Sequence, residues 1–166
     1  MTNEGDGLAP LARDECLRLM ATVPVGRVVY TDRALPAIQP VNFVLDDGHD
    51  VIIRTERGSA LAAALRGAIV AFQADDIDTV LATGWSVTVV GPATHVTCPA
   101  EIARLDRLPL RPWAPGRREH YVRIASRHVT GRRVTAPGPR RAAGTQGRAT
   151  TGGHTCCCPA DTNVPQ

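Results

Sequence analysis

Three side chains are spaced to hold an anion: Arg54 and Thr55 at the end of one apolar run, and Ser59 four residues on, within VIIRTERGSALAAALRG. A guanidinium offers a charged fork of N–H donors to phosphate or carboxylate oxygens, and a hydroxyl adds one more donor. Ser59 is placed to cap the Ala/Leu run after it, which reads as a short helix. A helix start presents free backbone N–H groups to the same ligand. Gly58, one residue earlier, lets a backbone or a ligand come close. Together these residues predict a cradle for a phosphate or carboxylate. Residue types alone leave a second reading open, in which Arg54 and Thr55 sit on a solvated strand end and Ser59 caps its helix with no ligand at all.

Other chemistries find less support. Gly84-Trp85-Ser86 opens like a nucleophile elbow, but Thr88 stands where a second glycine is needed and the segment runs on as strand. The five His are scattered, with no pair at ligand spacing before the tail. His154 beside Cys156, Cys157 and Cys158 has the look of a metal cluster, yet adjacent cysteines in a Gly/Pro-rich segment read as unstructured. The five Cys suit neither a disulfide framework nor a zinc site. Asp75, Asp76 and Asp78 read as a solvated polar loop. No catalytic residue is assigned, and no metal is expected.

The elements that must position the cradle follow from the pattern around it. Leu35–Leu45 and Asp50–Thr55 flank Asp46-Asp47-Gly48-His49 and read as a β-hairpin. Pro36 and Pro40 share one face of the first strand, and proline cannot donate to a ladder, so that strand must be an edge or carry a bulge near Gln39-Pro40. A short helix is expected from Arg13 to Ala21, then a strand from Val25 to Thr31. Helix Ala60–Arg66, strand Ala68–Ala74, a long strand Gly84–Thr97 bent at Gly91-Pro92, and a helix from Pro99 follow. Trp113 lies in a proline-punctuated loop read as packing over the sheet. The last strands are expected at Glu119–Ile124 and His128–Val134. About six strands with short helices between them, and no strand–helix–strand rhythm, indicate a mainly β chain that forms either an antiparallel barrel or an α+β domain.

Bulk composition sets the limits. The chain has 166 residues, 43% of them hydrophobic and only 4% aromatic, so aliphatic side chains must fill the core of one domain. Residues 1–10 read as a flexible leader, 11–135 as the domain, and 136–166 as a disordered tail. The tail holds nine Gly or Pro and a single large aliphatic, Val164. All nineteen basic residues are arginine. The net charge is +3, of which +2 falls in the tail, and a near-neutral domain argues against nucleic-acid binding. A third reading, in which Arg127, Arg132, Arg133 and the tail bind nucleic acid, would require steep salt dependence. No apolar run approaches a membrane span, and the polar start has no signal-type stretch, so a cytoplasmic protein is expected.

The succession VPVGRVVYT, LPAIQPVNFVLDDG, VIIRTERGSALAAA, VAFQADDID, TGWSVTVVG and LPLRPWAPG…HYVRI…VTGRR resembles the pyridoxamine 5′-phosphate oxidase-like family. It is most similar to the flavin-binding split-barrel branch that includes nitroimidazole-resistance-type proteins. The resemblance covers residues 11–135 and implies a six-stranded Greek-key split barrel. It further implies a homodimer holding flavin mononucleotide (FMN) at the subunit interface. By position, Arg54, Thr55 and Ser59 match the residues that hold the ribityl phosphate. Gln39, Pro40, Val41, Asn42 and Phe43 match the strand whose backbone lines the isoalloxazine edge. Trp85 and Ser86 match the segment that reaches the flavin across the dimer.

One departure stands out. Where the family commonly carries a basic residue just after the serine-like position, this chain has Ala60. That removes a charge worth on the order of 1–3 kcal/mol of binding, and opens a shift of preference to a deazaflavin or heme. The resulting expectation is a flavin-dependent oxidoreductase acting on an unidentified small molecule. Its rival is a non-catalytic dimer that stores or senses flavin, deazaflavin or heme. Substrate and electron donor stay open, because fold resemblance does not choose among reactions.

Overall fold

The computed structural model describes residues 8–110 and 120–135, so the readings of Trp113 and of the tail from residue 136 lie outside the described residues. In chain order the elements are β1 (Leu8–Pro10), α1 (Arg13–Met20), β2 (Val25–Asp32), β3 (Leu35–Leu45), β4 (Val51–Thr55), α2 (Ala60–Ala64), β5 (Ile69–Asp78), β6 (Thr83–His95), α3 (Pro99–Leu105), β7 (His120–Ile124) and β8 (His128–Val134). The strands lie in the order β1-β8-β6-β5-β2-β3-β4-β7, and β7 pairs a second time with β6. That pairing closes β2 to β7 into a six-stranded antiparallel barrel, with β8 and β1 extending the sheet beyond β6.

Closure depends on the bend expected at Gly91-Pro92. Gly84–Val90 of β6 pairs with β8, while Ala93–His95 pairs with β7, so the strand changes partner at this dipeptide. A Cβ on Gly91 would lie 1.8 Å from the Ala125 carbonyl oxygen, so only glycine lets the two backbones cross there.

The two prolines of β3 are explained by an edge, without a bulge. β3 pairs with β2 in unbroken register from Leu35 to Asn42, but with β4 only over Phe43–Leu45. Over its first eight residues, therefore, one side of β3 has no neighbouring strand among the described residues. The Phe43 N–H bonds the Pro24 carbonyl, on the β2 side. Antiparallel alternation then turns the even-numbered backbone groups, including Pro36 and Pro40, toward the open side. The prolines sit where the β2 ladder asks no donor of them.

The barrel interior is filled by aliphatic side chains with Phe43, Phe72 and Trp85, and α1 adds Cys16 and Met20 to the same cluster. Phe43 and Phe72 meet edge to face at 4.8 Å. A smaller cluster lies outside the barrel under α3: Ile52, Val96, Leu105, Leu110 and Tyr121.

Two local expectations are corrected. Asp75, Asp76 and Asp78 belong to β5, paired with Ser86, Trp85 and Thr83, and the chain turns only afterwards. Ten consecutive rungs with β6 outweigh the low strand propensity of aspartate, and Asp75 is paired by Arg27 at 2.9 Å. Leu8–Pro10, read as part of a flexible leader, pair with Val134, Arg133 and Arg132 along the outer edge of β8. Among the described residues, no helix is long and apolar enough to cross a membrane.

Candidate functional site

The hairpin that carries Arg54 is fixed at its turn by charge. Oδ1 of Asp46 accepts the Gly48 and Asp50 N–H groups at 3.0 and 2.9 Å, and Oδ2 accepts a bond from Arg123 on β7. Arg123 also binds Glu101 on α3, and Asp50 at 3.3 Å. The Asp46 side chain is only 2% exposed, so its charge depends on these partners. The cluster ties the β3–β4 turn to β7 and α3, and so sets the register that leads to the far end of β4.

At that far end, Arg54 stands opposite Tyr121 and Thr55 opposite His120. Strand alternation sends Arg54 and Thr55 to opposite faces. Arg54 lies over the Tyr121 ring at 4.9 Å, on the α3 side of the sheet. The Tyr121 hydroxyl in turn donates to Asp106 at 2.7 Å. Burial, and next the bond to Asp106, push the Tyr121 phenol up to about 12, against a smaller opposing pull from Arg54. The ring is thus a neutral, fixed platform for the guanidinium, a contact of about 0.5–2 kcal/mol.

The chain then turns through Glu56-Arg57-Gly58-Ser59. The Ser59 N–H bonds the Glu56 carbonyl at 3.2 Å and Gly58 takes φ +74, the pattern of a type II turn. Ser59 caps α2 as expected, its Oγ accepting the Ala62 N–H at 3.1 Å. Arg57 donates from Nε to Nε2 of His120 at 2.8 Å. Among the described residues, two buried side-chain polar atoms have no hydrogen-bond partner: Arg54 Nε and Thr55 Oγ1. Both lie in the pair singled out from the sequence. Buried polar atoms are nearly always paired, and leaving one unpaired costs about 1–3 kcal/mol. Two adjacent residues with such atoms at one strand end fit a site completed by a ligand.

The other candidates divide by strand parity. In β3, Val41 and Phe43 turn their side chains into the core and their backbone groups toward β2. Pro40 and Asn42 have the opposite parity, and Asn42 donates to the Pro24 carbonyl at 3.4 Å. Gln39 is half-buried. Trp85 is 5% exposed and packed in the barrel core. Its inward parity along β6 is the reason. Ser86 faces outward beside Gln73, 3.4 Å from its Nε2. Sequence reasoning gave no role to Tyr121, His120 or Arg57. Their relation to Arg54 and Thr55 arises from β4–β7 register, and the one local signal was an aromatic and a histidine heading the strand HYVRI.

A closed six-stranded antiparallel barrel with short inserted helices defines this chain as a split-barrel protein. The pyridoxamine 5′-phosphate oxidase family profile matches residues 12–133, and the chain belongs to that family. It is 47% identical over 131 residues to the uncharacterized protein Rv0080 of Mycobacterium tuberculosis, covering 76% of this chain and 85% of that one. Among solved structures it is similar to the FAD binding protein from Mycobacterium smegmatis, at 35% identity and TM-score 0.65. That match covers 75% of this chain and 97% of the other. It is also similar to a conserved protein of unknown function from Corynebacterium diphtheriae, at 32% identity and TM-score 0.64, covering 78% of this chain and all of the other.

Proposed function

We propose that this protein binds a flavin coenzyme by its phosphate end at the end of β4, and serves as a flavin-dependent oxidoreductase on a small molecule. The observation that carries the proposal is the pair of unpartnered buried atoms, Arg54 Nε and Thr55 Oγ1, in a chain of this family. A phosphate lying off the strand end is reached by Arg54 from the Tyr121 side and by Thr55 from the other. A phosphate lying on either face would be reached by only one of them. FMN, whose monophosphate is terminal, suits this placement. The M. smegmatis relative carries FAD in its name, so both forms belong in the test.

The bound flavin would supply hydride or electron transfer at its ring, and the chain's residues supply position. Tyr121 holds the Arg54 guanidinium, Ser59 orders the turn, and the open side of β3 offers the Pro40 carbonyl to the ring edge. Ala60 adds no charge to the site.

A homodimer with the coenzyme between subunits is part of the same reading. Exposed apolar residues support it: Ile38 and Ile69 on the outer sheet face, Leu35 at the start of β3, and Val80 and Leu81 after β5. A cytoplasmic location fits the free state of Cys16 and Cys98. The test is the visible spectrum of the purified protein, then titration with FMN, FAD, a deazaflavin and heme. Flavin absorbance or saturable flavin fluorescence quenching is expected. Failure to take up either flavin, or selective uptake of heme, would overturn the assignment.

A further inference from the structure

In the turn after β4, Arg57 is exposed, and among the described residues its one hydrogen bond runs from Nε to Nε2 of His120 at 2.8 Å. Arginine always donates, so this bond makes His120 Nε2 the acceptor and the imidazole neutral. The guanidinium is therefore held in place by an uncharged group. Among the described residues, Arg123 and Arg104 at the hairpin turn and Arg133 at the sheet edge are matched with carboxylates, whereas Arg57 has no carboxylate partner. Its charge is fixed in position yet not neutralised. His120 is also the register partner of Thr55, and antiparallel neighbours sit about 4.5–5.5 Å apart at Cα with side chains on the same face. Arg57 is thus tethered on the face of the sheet where the buried Thr55 hydroxyl, 1% exposed, lacks a partner.

We propose that Arg57, positioned by His120, is the second cation of the coenzyme-phosphate site and replaces the base that Ala60 does not provide. This rests on the flavin reading above. It differs from that reading in assigning the charge to the turn instead of the helix, and in giving His120 a positioning role as a neutral acceptor. The ligand group it recognises is a phosphate monoester or its pyrophosphate counterpart.

The test is fluorescence titration of the full chain with FMN and with riboflavin, which lacks the phosphate. It compares wild type with Arg57→Ala, His120→Leu and His120→Gln, and circular dichroism confirms that each variant is folded. Wild type should prefer FMN. Arg57→Ala should weaken FMN by about 10- to 100-fold, as for one charge-assisted contact, and leave riboflavin unchanged. His120→Leu should lose part of that preference, and His120→Gln, whose amide oxygen can accept from Arg57, should recover it. If wild type prefers FMN and Arg57→Ala keeps that preference, the assignment of Arg57 is overturned and the flavin reading survives. If wild type binds both flavins equally, no phosphate is recognised and the proposal fails. If it binds neither, the proposal and the reading beneath it fall together.

Discussion

Removing the arginine at the base of the hairpin should loosen the whole frame of the site. In Arg123→Met the aliphatic stem is kept and the charge is lost. Asp46, its side chain 2% exposed, would retain the Gly48 and Asp50 N–H bonds and a distant Arg104 at 3.7 Å. Stripping one partner from a buried ion pair costs about 3–5 kcal/mol. The remaining Arg104 contact and the turn bonds reduce that. Asp50 and Glu101, 25% and 33% exposed, add little because solvent screens them. The expected loss is about 2–4 kcal/mol, or on the order of 10 °C in Tm for a domain of this size. Thermal unfolding followed by circular dichroism measures it. A double-mutant cycle with Asp46→Asn should return a coupling above about 1 kcal/mol. A fall in Tm below about 2 °C, with no coupling, would show that the cluster does not hold the turn.

Two further predictions use the same frame. Tyr121 should titrate far above the ordinary phenol value of 10: in a Tyr30→Phe background the phenolate absorbance should rise with a midpoint of about 12. Because the folded form keeps this phenol neutral, its contribution to stability is complete below the ordinary value of 10 and is lost as pH climbs from 10 through about 12. A midpoint near 10 would mean that the ring is neither buried nor bonded to Asp106 as described. Gly91→Ala should prevent barrel closure, since its methyl would lie 1.8 Å from the Ala125 carbonyl oxygen. Soluble, cooperatively melting Gly91→Ala protein would contradict the crossing of β6 described above.

Much of the frame was legible because its signals are local. The Asp46–His49 turn, the Ser59 cap, the bend at Gly91-Pro92 and the edge demanded by Pro36 and Pro40 are each set by a few neighbouring residues. What was missed is register. Nothing within TGWSVTVV says which parity faces the core, so the filling of the barrel by the Trp85 ring is visible only in the fold. Asp75–Asp78 read as loop because aspartate disfavours strands, while a long ladder with β6 decides otherwise. The partnership of Arg54 with Tyr121, and of Arg57 with His120, joins residues more than sixty positions apart and becomes visible only once β4 and β7 are paired.

The account turns on the end of β4 gripping a coenzyme phosphate, and Arg54→Met tests that most directly. FMN and riboflavin affinities, measured side by side by fluorescence quenching, should show FMN binding weakened by about 10- to 100-fold and riboflavin binding unaltered. An Arg54→Met protein that keeps its full preference for FMN, or that loses both flavins equally, would contradict the account.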